Sequence, residues 1–311
     1  MLDHADGSAN AGPRRIETLE GVESIAAGGC NRAAVDDRGR LFTWGRAACE
    51  EGQPTGLGYE LDPETECQLT PKRVDALSED RVVGVALGLD FTLAVTDAGV
   101  VFSFGSSRAL GHGLSTSEVL PRRIEALAET GRRFVAVAAG NYYALALAEE
   151  RHLYEWGSIT NGHGPSTPQL VTALAGIGVL LVYAQDCSSC AVTENGELYT
   201  WGWGYPTSFH LGHGDAARQL TPKRVEALSG VKVAAASISH SHTLAAGADG
   251  VVWGFGQRAA LGLGEADAPP GDSEDEDSED EDAGCVVQPI PIPNLRVRTL
   301  PLASEGWVPS I

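Results

Sequence analysis

Ala86-Leu-Gly-Leu-Asp-Phe-Thr-Leu-Ala-Val95, followed after one residue by Asp97-Ala-Gly-Val-Val-Phe-Ser-Phe-Gly105, is the stretch from which the fold is read. A small-residue run closes on Gly88, an apolar tract covers Thr92 to Val95, and a glycine turn leads to an aromatic-Gly pair. That pair recurs as Trp44-Gly45, Phe104-Gly105, Trp156-Gly157, Trp201-Gly202 and Phe255-Gly256, at intervals of 45 to 60 residues. Five residues before the aromatic stands Gly39, Gly99, Gly196 or Gly250, with Arg151 in the third copy. Asn195-Gly196 and Asp249-Gly250 are hairpin-turn dipeptides, whose residues tolerate positive φ.

Two further elements follow in each copy. A Gly-X-Gly appears at Gly56-Leu-Gly58, Gly111-His-Gly113, Gly162-His-Gly164, Gly212-His-Gly214 and Gly262-Leu-Gly264. A Pro-X-X-apolar step then stands at Pro71-Lys-Arg-Val74, Pro121-Arg-Arg-Ile124, Pro168-Gln-Leu-Val171 and Pro222-Lys-Arg-Val225, with Pro13-Arg-Arg-Ile16 ahead of the first copy. No window shows sustained helical periodicity, so each copy reads as four short strands joined by glycine-rich turns. About fifty residues per four-stranded unit predicts a β-propeller blade, whose faces are buried against neighbouring blades. The five aromatics should then be equivalent and largely buried between blades.

The recurring Ala-X-Gly-X-X-X-Thr-Leu-Ala-Val, Asp-X-Gly-X-Val-X-X-Trp-Gly, Leu-Gly-X-Gly and Thr-Pro-X-X-Val resemble the regulator-of-chromosome-condensation repeat family. Segments 86–105 and 194–225 carry the resemblance most closely. It implies an all-β propeller of four-stranded blades, with seven blades the family norm. Five complete repeats and a partial sixth are counted here, the latter having only a first strand at Leu295 to Leu302. This reads as a truncated or divergent member, or one completed by another chain. The expected organisation is a tail at 1–11, propeller repeats over 12–302 with a disordered acidic insertion at 265–284, and a tail at 303–311.

Composition narrows the function. The 311 residues are 43% apolar and 21% charged, with 38 glycines and one methionine, so a globular core is expected. The net charge is −20; nine acids fall within residues 272–282, and setting them aside leaves −11. A negative body disfavours DNA, whose binding rests largely on Lys and Arg. Met1-Leu-Asp-His lacks the basic and apolar regions of a signal peptide, no apolar run is long enough to span a bilayer, and six cysteines are scattered. A cytoplasmic or nuclear location is expected, with no membrane span.

No Ser/His/Asp or paired-carboxylate set can be assembled, so side-chain catalysis, a metal and a cofactor are not expected. His112, His163 and His213 share the Gly-His-Gly slot a blade apart and read as turn packing. Cys187-Ser-Ser-Cys190 has the spacing of a redox or zinc motif but no second pair, and Cys190 holds a strand position. The loops after the first strands should share one face, where binding usually resides. Asp90, Asn141, Tyr142, Asp186 and His240 are the binding candidates there. In exchange factors of the family, acidic and histidine residues on such a face contact the small GTPase Ran, although Asp90 and Asp186 fall at different loop offsets. The acidic tract supplies a second candidate, a docking site for a basic partner around Asp275, Glu276 and Asp280. Ser273 and Ser278 each precede an acid by three residues and are candidate phosphorylation sites. The expected function is a non-enzymatic, regulatory or scaffold propeller that binds a protein partner, either a small GTPase or a basic protein. The alternative is a guanine-nucleotide exchange factor for a Ran-like GTPase.

Overall fold

A computed structural model describes residues 15–48, 52–62, 64–113, 117–158, 164–203, 209–263 and 284–297. The strands form five four-stranded antiparallel sheets, each made of strands consecutive in the chain. The first sheet contains β1 (Val22–Ala27), β2 (Asn31–Asp36), β3 (Leu41–Arg46) and β4 (Cys67–Arg73). The second contains β5 (Val82–Leu87), β6 (Phe91–Thr96), β7 (Val101–Ser106) and β8 (Ser117–Arg123). The third contains β9 (Phe134–Ala139), β10 (Tyr143–Ala148), β11 (Leu153–Gly157) and β12 (Gln169–Leu170). The fourth contains β13 (Val179–Gln185), β14 (Ser188–Thr193), β15 (Leu198–Gly202) and β16 (Gln219–Arg224). The fifth contains β17 (Val233–Ile238), β18 (His242–Gly247), β19 (Val251–Gln257) and β20 (Cys285–Arg296). The chain divides into two compact units, one ending at Thr172 with the first three sheets, the other beginning at Ala173 with the last two.

The repeated motifs have specific structural jobs. In each aromatic-Gly pair the glycine brings β3, β7, β11, β15 or β19 against the loop between the first two strands. A Cβ on Gly105 would lie 2.3 Å from the carbonyl oxygen of Asp90, and its φ is +117°. The same clash, at 2.3 to 2.5 Å, awaits Gly45, Gly157, Gly202 and Gly256. Each loop carbonyl accepts instead from the amide just beyond the pair, as Asp90 does from Ser106 at 2.8 Å.

Within each unit, Phe104, Trp156 and Phe255 fill the joints between sheets. Phe104, Trp156, Trp201 and Phe255 are fully buried. Phe104 packs with the first sheet's Val35, Leu41 and Val74, and Phe255 with the fourth sheet's Val192, Leu211 and Val225. Burying such a ring stabilises by roughly 2–3 kcal/mol. Trp44 departs from the expectation and is only half-buried. Within its unit each later ring is roofed by the glycine loop of the preceding sheet, and among the described residues the first sheet has none.

That roof explains the Leu-Gly of the first, second and fourth loops. A Cβ on Gly212 would stand 2.7 Å from the Phe255 ring, and one on Gly58 2.9 Å from Phe104. By this packing Gly58 is the counterpart of Gly212, so the first copy's Gly-X-Gly is offset by one glycine from the others. The apolar residues of the proline step, Val74, Ile124, Val171 and Val225, are buried, and each amide bonds to the start of its sheet's third strand at 2.8 to 2.9 Å. A single helical turn follows at Asp75–Leu77, Glu125–Ala128, Thr172–Leu174 and Glu226–Leu228. In the fifth copy the strand runs on to Arg296 instead. Leu295 therefore belongs to the fifth sheet rather than to a sixth. Val297 donates to Gly250 at 3.1 Å, the bond with which Val82, Phe134 and Val233 begin their own sheets. Prolines at 71, 121, 222, 289, 291 and 293 lie in the outermost strands, where a missing N–H discourages pairing along the edge.

Candidate interaction face

At one end of each sheet the loop between the first two strands meets the loop leaving the third. Five loops align by their bonds: Gly28-Gly-Cys30, Gly88-Leu-Asp90, Gly140-Asn-Tyr142, Gln185-Asp-Cys187 and Ser239-His-Ser241. The last residue of each accepts from the third strand's exit at 2.8 to 3.3 Å. Asp90 and Tyr142 hold this last position; Asn141, Asp186 and His240 hold the middle one. The two aspartates thus do occupy different offsets.

In the first unit the loops are stitched through the backbone. Gly29 donates to Gly88 at 3.2 Å and Leu89 donates to Asn141 at 3.1 Å. Asp90 and Asn141 are half-buried, and Tyr142 is exposed. In the second unit side chains take over. His240 Nδ1 lies 2.5 Å from Asp186 Oδ2, an ion pair when the imidazole is protonated, which joins the loops of the fourth and fifth sheets. The histidine is about half exposed and the carboxylate less so, at 48% and 23%. Asp186 adopts φ +52°, a left-handed turn conformation that aspartate tolerates better than most residues.

Three residues that the sequence reading passed over lie beneath and beside this pair. His210 is 2% exposed and places Nε2 2.7 Å from the hydroxyl of Ser188, two residues after Asp186. Burial holds the His210 pKa down, to about 4; nearby His240 and His242 push the same way and Asp186 opposes them. Trp203 occupies a slot that is Arg46, Ser106, Ser158 or Gln257 in the other copies, and the exposed Arg218 guanidinium lies 4.0 Å over its ring. Their signal was a departure from the repeat. Where His210 and Trp203 stand, the other copies carry small or polar residues.

His112 and His213 pack as turn residues, each 2.9 Å from a third-strand hydroxyl, Ser103 and Thr200 respectively. His163 lies outside the described residues. Cys190 is buried in the core and Cys187 sits in the hairpin turn. Burial raises both thiol pKa values, that of Cys187 to about 11, so both are protonated and poorly nucleophilic at neutral pH. Among the described residues no group of three or more His, Cys, Asp or Glu side chains could hold a metal ion, and no helix is long and apolar enough to cross a membrane.

The acidic tract with Ser273, Asp275, Glu276, Ser278 and Asp280 also lies outside the described residues. Its roots are described. Leu263 and Gly284 both bond to the backbone of Arg258, which follows Gln257, the residue bonded to Ser241 beside His240. The insertion is therefore rooted at the end of the fifth sheet that carries His240.

Comparison with known proteins agrees with this architecture. The family model for the regulator of chromosome condensation (RCC1) repeat matches residues 38–95, 98–147 and 195–246, about half of the chain. Human E3 ubiquitin-protein ligase HERC2 is 34% identical over an alignment covering 100% of this chain and 6% of the ligase. The ultraviolet-B receptor UVR8 of Arabidopsis thaliana is 31% identical, over 85% of this chain and 58% of the receptor. The chain thus spans less than two thirds of either relative. Among solved structures, Prp20p of Saccharomyces cerevisiae superposes with a TM-score of 0.67 at 22% identity, covering 88% of this chain and 63% of Prp20p. Human WBSCR16 gives 0.68 at 19%, covering 87% and 67%. At these identities the likeness is one of fold.

Proposed function

The chain belongs to the regulator of chromosome condensation repeat family, and from that premise we propose that it is a non-enzymatic protein-interaction propeller. Its protein partner docks on the loop end that carries Asp186 and His240. The observation behind this reading is where the repeat pattern breaks. The body of each sheet repeats the same buried glycines and aromatics, whereas Asp186, Trp203, His210 and His240 are individual to their copies and gather at one end of two adjoining sheets. A rigid scaffold with distinctive loops suits recognition.

The partner chemistry follows from charge. A half-buried carboxylate on the face, and nine acids in an insertion rooted beside it, favour a protein with a basic surface. Prp20p is described with binding properties to Gsp1p and histones. A histone-like partner and a small GTPase are therefore the first to try. Exchange activity is the second reading, favoured by the meeting of an acidic and a histidine residue on the face. Exchange needs a face that binds the nucleotide-free GTPase better than the loaded one, and no proton-transfer residue. Release of a fluorescent nucleotide from a panel of small GTPases separates the two. Binding without acceleration supports the scaffold, and acceleration with any member supports exchange.

A further inference from the structure

Aligned on the Leu-Gly of each loop, His210 stands where three other copies have Gly56, Ala109 and Ala260. A large polar ring at a small-residue slot is tolerated only if it is hydrogen-bonded. Ser188 Oγ donates to the Trp203 carbonyl at 3.3 Å and lies 2.7 Å from His210 Nε2. The carbonyl of His210 accepts from Thr243 Oγ1 of the fifth sheet at 2.7 Å. One residue thus ties together the Asp186 hairpin, the Trp203 exit loop and β18.

Of the titratable groups facing His210 among the described residues, Asp186 from the fourth sheet favours its charged form, and His240 and His242 from the fifth oppose it. The Asp186 carboxylate is already engaged by His240. His242 bonds through Nδ1 to Ser239 at 3.1 Å and brings no negative charge. A proton placed on His210 therefore sits in a buried site next to two more imidazoles, and the Asp186 carboxylate that faces it is shared with His240.

We propose that neutral His210 is the positioning residue of the docking face: it holds the Asp186 hairpin in register with the His240 loop, and its protonation releases the two loops. This inference rests on the reading of that face as the docking site. An opened loop returns His210 to an ordinary imidazole, which binds a proton more readily than the closed one does. Falling pH therefore favours the open form, by up to tenfold per pH unit between about 6.5 and 4.

The test compares the full chain with H210Q, which retains a hydrogen-bonding nitrogen but cannot titrate, and H210A, the residue of other copies at this slot. Histidine side-chain NMR and amide exchange at Trp203 are followed from pH 7.5 to 4.5. Protection of the Trp203 amide in the wild type, relative to H210Q at each pH, should fall by several-fold to tenfold per unit below pH 6.5. H210A should be deprotected throughout, and H210Q should keep the wild-type His240 signal at neutral pH. Equal pH profiles for wild type and H210Q would overturn the proposal, as would a His210 that titrates near 6.5 with Trp203 protected throughout. If H210A does not fold, H210Q alone decides. No partner is needed, so failure here leaves the docking reading standing, and that reading fails separately if substitution of Asp186 leaves binding unchanged.

Discussion

The indole of Trp156 donates to the carbonyl of Ala109 at 2.6 Å, across the joint between the second and third sheets. Elsewhere a different side chain does this. Thr92 donates to Gly56 and Thr243 to His210, each at 2.7 Å. The register shows why the donors can exchange: Trp156 faces Ala144, whereas Thr92 faces Phe104 and Thr243 faces Phe255. Either the third-strand aromatic or the second-strand residue opposite it supplies the proton for the neighbouring loop carbonyl.

W156F should therefore strand a buried acceptor and destabilise by about 1–3 kcal/mol. Adding A144T recreates the pair used by the second and fifth sheets and should recover a large part of that loss. Urea unfolding of both variants measures it. No recovery in the double variant would mean that the lost indole packing, not the lost donor, sets the effect.

Two glycines with nearly the same backbone separate packing from strain. Gly212 and Gly262 have φ +74° and +70°, but a Cβ on Gly212 meets the Phe255 ring at 2.7 Å and one on Gly262 meets nothing within 4 Å among the described residues. G212A should cost about 2–4 kcal/mol, and G262A about 1 kcal/mol from left-handed strain alone. Similar losses for the two in thermal unfolding would contradict the account of the joint.

The acidic tract carries charge that salt can screen. Removing residues 272–282 should leave the melting temperature nearly unchanged or slightly raised, through reduced self-repulsion. Binding to a basic protein should weaken on deletion at 50 mM salt and differ little at 500 mM, since exposed charges are screened over roughly 8 Å at physiological ionic strength. Phosphorylation of Ser273 and Ser278 should strengthen low-salt binding. Equal binding at both salt concentrations with and without the tract would reduce it to a spacer.

The fold was legible because its determinants repeat. Gly105, Phe104 and Ile124 each have counterparts in the same structural slot, and five copies outvote a local irregularity. Legibility ended where a copy stood alone. Gly56-Leu-Gly58 matched the motif by spelling but is displaced by one glycine in space, because the packing glycine is the one after leucine. The site was only half readable for a related reason. Asp186 and His240 were found as loop residues, but their contact joins positions 54 apart and depends on how two sheets pack. His210 was missed because the repeat sets its slot as small, and a deviation from consensus carries no motif of its own.

The claim that the Asp186–His240 end is the docking face is tested by equilibrium binding of core histones and of a nucleotide-free Ran-like GTPase. Wild type is compared with D186A/H240A and with E194A, an exposed acid in the turn at the other end of the fourth sheet. The pair is partly exposed and contributes at most about 1 kcal/mol to folding, so unfolding should not confound the result. The account predicts that D186A/H240A weakens binding of at least one partner tenfold or more while E194A leaves it within twofold. Unchanged affinity in D186A/H240A, or an equal loss in E194A, would contradict it.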